Sequence, residues 1–265
     1  FAFLTIFFWA IFEQSPGTLT IFANDYTNRI LDGNAGTIFM IINAAITLVP
    51  LGIITWVLFL LFKQTFAKYA MANIVLAISF VIIWGIAFWM LNDQFSGETL
   101  EVPASWFASL NSLYIITLAP LFSKWWESKY NPSANMKYAI GMSFLAIGMI
   151  CVAIGSDGIV PGAKTASVSM IYLILVYLFI TMAELCISPV GLSYVSKLVP
   201  ARMIGMMFGI WYLAVAIGMK GAAKFGENID KIADEKGLSY FFWMLAIVSL
   251  VVAFISLVMS PVIKK

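Results

Sequence analysis

The sequence predicts an all-α integral membrane protein, and three observations carry that reading. Of 265 residues, 62% are hydrophobic and 11% are charged, against about 25% charged in a soluble domain. Mean hydropathy is +0.98. Apolar runs fall at about 1–24, 36–62, 69–92, 105–126, 138–155, 168–195, 205–225 and 239–262. Each is long enough, or nearly so, to cross a bilayer, and a backbone in lipid must satisfy its own polar groups, which a helix does. Eight spans are therefore predicted, with 138–155 the shortest. Turn-rich polar segments such as NDYTNRILDGNAG, ESKYNPSANMK and GENIDKIADEKG join them as loops.

The first run, FAFLTIFFWAIFEQSPGTLTIFAN, sets Trp9 and Glu13 four residues apart on one helix face. Ser15-Pro16-Gly17 should then loosen the helix. The chain starts without Met inside this run, which is expected of a piece of a longer protein. The two runs within 36–92 are nearly all apolar. Their few polar residues include Asn43, Thr47 and Thr55 in one and Asn73 and Ser79 in the other, and Val49-Pro50-Leu51-Gly52 should kink the first. The run at 105–126 holds Asn111, a residue type that ties membrane helices together more often than it binds ligand, and Pro120.

The run at 168–195 contains ITMAELCISPVGLSYVSK. Glu184 and Ser188 share a face. Pro189 removes a backbone donor and crowds the carbonyl four residues back, and Gly191 follows. A polar face beside this weak point fits a helix that lines a pathway and bends at Pro189 and Gly191. The run at 205–225 places Gly205 and Gly209 as a small-xxx-small pair for close helix packing. Trp211 sits in mid-span, while Trp106, Trp125 and Trp126 read as interface belt.

Charge sets the orientation. With residue 1 on the cytoplasmic side, the inside turns hold Lys63, Lys68, Lys124, Lys129, Lys137, Lys197, Arg202, Lys264 and Lys265, with one acid, Glu127. The other side holds Arg29, Lys164, Lys220, Lys224, Lys231 and Lys236, mixed with ten acids, among them Asp32 and Glu98. Nine basic residues inside against six outside follow the positive-inside rule, with both chain ends cytoplasmic. The two remaining acids, Glu13 and Glu184, fall within spans. A charge facing lipid costs about 2.5–3.5 kcal/mol at mid-membrane, so each should face a cavity or a partner in the protein. A purely structural ion pair would satisfy the same constraint.

Several classes have no support. There is no basic block for nucleic acid. There is no His, and Cys151 and Cys186 fall singly in apolar spans as packing residues, so no metal set is read. Ser188 near Glu184 is the one candidate for a nucleophile and base, and no His completes it, so no catalytic residue is assigned and an enzyme is not expected.

In order along the chain, FFWAIFEQSPGTLTIFA, SLNSLYIITLAPLFSKWW, MKYAIGM and AELCISPVGLSYVSKLVPARMIGMMFGIWYLAVAIG resemble the seventh, eighth, ninth and joined tenth and eleventh helices of the proton-dependent oligopeptide transporter (POT) family, within the major facilitator superfamily. Asn111-Ser112 stands where the family usually has Asn-Pro, and Ala183 where it commonly has Gly. The resemblance implies a C-terminal six-helix bundle: residues 1–35 its first helix and loop, 93–265 its other five helices. Residues 36–92 would be an inserted transmembrane hairpin, expected to pack peripherally. It implies symport of di- and tripeptides, with protons as coupling ion and no cofactor, in a bacterial inner (plasma) membrane. Glu184 would bind the peptide amine and couple to protons, Ser188 and Asn111 would line the site, and Trp211 and Trp9 would shape side-chain pockets. Glu13 would pair, when the outer gate closes, with an Arg of an N-terminal bundle whose ExxER motif is not in this sequence. The other readings are a different small solute on the same fold, or a non-transporting membrane scaffold or receptor.

Overall fold

A computed structural model describes residues 2–31, 33–96 and 100–263, with the side chains at 194, 195, 197, 198 and 260–263 not described. Asp32, Glu98, Lys264, Lys265 and the side chain of Lys197 in the charge map lie outside the described residues. Among those described, seven helices are long and apolar enough to cross a membrane. The chain divides into two compact units, Phe1–Arg29 with Pro103–Lys265, and Ile30–Val102.

The larger unit begins with α1, Ala2–Phe12. The predicted run over 1–24 is helical but interrupted, with α1 ending at Phe12. After it the backbone tightens, with Gln14 N–H donating to Ile11 O (3.1 Å) and Ser15 N–H to Phe12 O (3.1 Å). Pro16 has no N–H to continue the ladder. The chain restarts as α2, Thr18–Ile21, and passes into a π-helical turn, Phe22–Tyr26.

The long helices follow: α5, Ala104–Glu127 (α3 and α4 belong to the smaller unit); α6, Ala134–Gly155; α7, Ile171–Leu198; α8, Ile204–Glu227; and α10, Leu238–Ile263. Between the last two lies α9, Ile229–Lys236, where the sequence predicted a loop. Its apolar residues, Ile229, Ile232 and Ala233, recur at helical spacing, which buries one side of a short, two-turn polar helix. Gly237 ends it with φ +88°, a conformation L side chains rarely adopt.

Helix α6 is the centre of this unit, packed between α7 and α10. It starts four residues before the predicted 138 because Ser133 caps it, its hydroxyl accepting from Met136 N–H at 3.3 Å. Gly141, Gly148 and Gly155 repeat every seven residues and present one bare stripe to α7. A Cβ at Gly141 would lie 2.7 Å from Ile187, one at Gly148 3.2 Å from Phe179, and one at Gly155 2.7 Å from Tyr172. Tyr138, Met142, Leu145, Met149, Phe241 and Phe242 fill the remainder of the core.

Outside the helices, β1 (Thr27–Asn28) pairs in parallel with β2 (Val168–Ser169). Tyr26 OH donates to Ala163 O at 3.2 Å, and Gly162 N–H to Ala233 O at 3.2 Å. These bonds knit the loops of one end together.

The smaller unit is a helical hairpin of α3, Gly33–Thr65, and α4, Ala70–Phe95. Its ends close through Leu31 N–H donating to Leu100 O (2.9 Å) and an antiparallel bridge between Ile30 and Glu101. Three side-chain bonds cross the pair at three heights: Asn43 Nδ2 to Gln94 Oε1 (2.5 Å), Trp84 Nε1 to Thr55 Oγ1 (2.9 Å), and Thr65 Oγ1 to Asn73 Oδ1 (3.2 Å). Polar links of this kind fasten helices where burial of apolar surface cannot. Pro50 is carried inside α3, which continues through it.

Candidate functional site

Glu184 is half-buried on α7. Its carboxylate Oε2 accepts from Asn111 Nδ2 of α5 at 3.0 Å, and the same amide donates to Thr181 Oγ1 at 3.1 Å. The Thr181 hydroxyl donates to Tyr177 O at 2.7 Å, and Tyr177 OH donates to Ser15 O at 3.2 Å in the break after α1. Asn111 thus joins helices, as its residue type suggested, and does so at the carboxylate itself. Tyr177, Thr181, Glu184 and Ser188 form one stripe at steps of four, three and four. The sequence reading found the last two and missed the first two, although the spacing was there to see.

Glu184, Ser188, Trp9 and Trp211 line a single cavity of about 530 Å³. Leu192, Tyr212, Val215, Ala216 and Met219 complete its largely apolar wall. Two polar atoms on this wall, Trp9 Nε1 and Ser188 Oγ, are buried and find no hydrogen-bond partner among the described residues. Buried donors without partners are uncommon and call for a reason such as an absent ligand or water. Trp211 is 4% exposed, and its ring lies on Gly191, where a Cβ would overlap it. Gly191 therefore admits the indole as well as any bend. Helix α7 continues through Pro189.

Glu13 occupies a different place. Its N–H donates to Trp9 O at 3.0 Å, which preserves the four-residue step. Its side chain lines a second cavity, of about 440 Å³, with Gln14, Pro16, Thr18 and Ala222. Met219 lines both cavities. Gln14, which the sequence reading gave no role, fastens this wall. It is 1% exposed. Its Nε2 donates to Ala10 O (2.9 Å) and across to Ala222 O of α8 (3.1 Å), and its Oε1 accepts from Thr18 Oγ1 (3.1 Å).

The close approach of α1 to α8 occurs at Gly218, where a Cβ would lie 2.7 Å from both Ile6 O and Trp9 Cβ. Gly205 and Gly209, predicted to pack closely, have nothing within 4 Å among the described residues. A small-xxx-small pair permits close packing on whichever face meets a neighbour, and here α1 meets the other end of α8. Lys220 was counted with the outer loops. It lies inside α8, seven residues before its end, and its side chain is exposed. No group of three or more His, Cys, Asp or Glu side chains that could hold a metal gathers among the described residues.

The model of one family, PTR2: POT family, matches residues 54–236. This chain belongs to the POT family. It is an integral membrane protein of that transporter family. It is 28% identical over 233 residues to the peptide transporter YePEPT of Yersinia enterocolitica, covering 86% of this chain and 32% of that protein. It is 28% identical over 187 residues to a di-/tripeptide transporter of Lactococcus lactis subsp. cremoris, covering 70% and 36%. A crystal structure of a POT family transporter in complex with 5-aminolevulinic acid shares the fold, with TM-score 0.66 at 23% identity, covering all of this chain and 40% of that one. The chain spans about a third of the length of these curated relatives.

Proposed function

We propose that this chain is the C-terminal half of a proton-coupled symporter of di- and tripeptides in a bacterial inner membrane, with both ends of the chain cytoplasmic. One observation carries the reading. A carboxylate, Glu184, stands in the wall of a mostly apolar cavity beside two unpartnered buried donors, Trp9 Nε1 and Ser188 Oγ. An ammonium suits the carboxylate, carbonyl oxygens suit the donors, and the apolar wall suits side chains of varied size. A short peptide carries all three. That relatives named as peptide transporters match this chain supports the same reading.

In this mechanism Glu184 binds the peptide amine, and Asn111 holds the carboxylate toward the cavity. Ser188 and Trp9 meet the peptide's polar groups, while Trp211 and Trp9 bound its side-chain pocket. Glu184 also carries the coupling proton. It is charged when water or the amine reaches it and protonated when closure desolvates it. Glu13, on the adjoining cavity, gates by pairing with a cation of the N-terminal bundle. Two bundles rocking about a midplane site give alternating access, with α7 bending at Pro189 and Gly191.

The test is dialanine uptake into liposomes by the full-length protein, with and without an inward proton gradient. Wild type accumulates dialanine when the gradient is present, and Glu184→Gln abolishes that accumulation. A Glu184→Gln protein that accumulates dialanine as wild type does overturns the assignment.

A further inference from the structure

We propose that Thr181 is a positioning residue that holds the side-chain amide of Asn111 as a hydrogen-bond donor to Glu184. The proposal rests on the peptide-transport reading above and adds a residue that does not meet the substrate. Thr181 is 0% exposed and stands three residues before Glu184 on the same stripe of α7. Asn111 comes from α5, which packs on α7. Its amide nitrogen lies 3.1 Å from Thr181 Oγ1 and 3.0 Å from Glu184 Oε2. An amide nitrogen carries two hydrogens, and these two bonds use both.

The hydroxyl of Thr181 decides which end of the amide it meets. A hydroxyl has one proton to give and lone pairs with which to accept. Thr181 gives its proton to Tyr177 O at 2.7 Å, which is the shorter of its two bonds. Toward Asn111 it is therefore an acceptor, and only the nitrogen end of the amide can answer it. Tyr177 is itself 1% exposed and donates its own hydroxyl to Ser15 O at 3.2 Å. The carbonyl that claims the Thr181 proton thus belongs to a residue tied down at both ends.

Asn111 cannot hold this orientation by itself, because the terminal torsion of an Asn side chain is soft and roughly two-fold. Half a turn would set Oδ1 against Glu184 Oε2, two acceptors with no hydrogen between them. A charged Glu184 opposes that turn on its own. Once a proton or a substrate ammonium has met its charge, that preference weakens and Thr181 decides. With the amide nitrogen engaged, the atom that Asn111 offers a ligand is its oxygen. Glu184 and Asn111 then both present acceptors, which favours a primary ammonium with its three donors.

The experiment measures dialanine uptake kinetics of the full-length protein in liposomes. Thr181→Val keeps the shape of the side chain and removes the hydroxyl. It should raise the dialanine KM about three- to tenfold, the size of one lost hydrogen bond, and leave the maximal rate unchanged. Thr181→Ser, which keeps the hydroxyl, should restore a KM near that of wild type. In an Asn111→Ala background Thr181→Val should add nothing, because the residue acts through the amide. Thr181→Ala serves as a second variant without the hydroxyl, and an SDS-unfolding midpoint like that of wild type excludes misfolding. An equal rise in KM with and without Asn111 overturns the proposal, as does an unchanged KM in Thr181→Val. A fall in maximal rate at unchanged KM also overturns it and marks a part in the conformational step instead. If wild type takes up no dialanine at all, the peptide reading fails and this proposal with it.

Discussion

Gly218 gives the sharpest test of how the site is built. Alanine there places a methyl 2.7 Å from Ile6 O and from Trp9 Cβ, and 3.3 Å from Ala10 N. Carbon atoms rest at about 3.5–4.0 Å, so α1 and α8 must part by roughly 1 Å. The obstructing atoms are mostly backbone and cannot swing aside. Overpacking of this kind costs about 1–3 kcal/mol. The same displacement stretches the bond from Gln14 Nε2 to Ala222 O from 3.1 Å beyond useful length, which adds about 0.5–1.5 kcal/mol. The expected loss is therefore about 1.5–4.5 kcal/mol. Gly221→Ala is the control, because its Cβ meets Ala10 Cβ at 3.4 Å, an ordinary contact. Alanine's better helix propensity, worth up to about 1 kcal/mol, should leave that variant neutral or more stable. The assay is reversible unfolding by SDS titration of the purified full-length protein. The two glycines sit three residues apart on one helix, so composition and expression effects cancel in the comparison. A Gly218→Ala protein as stable as Gly221→Ala would refute the crossing of α1 and α8 at this point and, with it, the placement of Trp9 in the cavity wall.

Asn111→Ala removes the donor to both Glu184 and Thr181 and should raise the dialanine KM about tenfold, for a loss of about 1–2 kcal/mol; an unchanged KM would show that Glu184 needs no positioning. Gln14→Ala breaks three buried bonds and should cost about 1–3 kcal/mol in SDS unfolding, whereas a neutral result would mean that the break after α1 is not fastened to α8. In the hairpin, a double-mutant cycle on Asn43→Ala and Gln94→Ala should give a coupling near 0.6 kcal/mol, typical of polar pairs in membrane helices; zero coupling would deny the bond between α3 and α4. Deleting 36–92 with a short relink should leave measurable dialanine uptake, and complete loss in a folded, inserted protein would place the hairpin within the transport machinery.

Much of the site was legible because it rests on local spacing. The four-residue steps from Trp9 to Glu13 and from Glu184 to Ser188, and the break at Ser15-Pro16-Gly17, follow from helix period and proline chemistry. They are properties of ten residues at a time. What the sequence hid depends on a second segment. Gly205 and Gly209 carry the pattern of a packing pair, yet it is Gly218 that meets α1, because pattern says nothing of which face has a neighbour. The seven-residue glycine stripe of α6 was visible as spacing, but its meaning came with Ile187, Phe179 and Tyr172 on α7. The two-residue strands β1 and β2 are 141 positions apart in register and too short to signal themselves. Lys220 was counted with the outer loops although the predicted run, 205–225, already contained it. The helix continues to Glu227 because its other face, Gly218, Ala222 and Gly226, still packs on α1 and the turn after it. One face of α8 thus keeps a helix going where the other already carries charge.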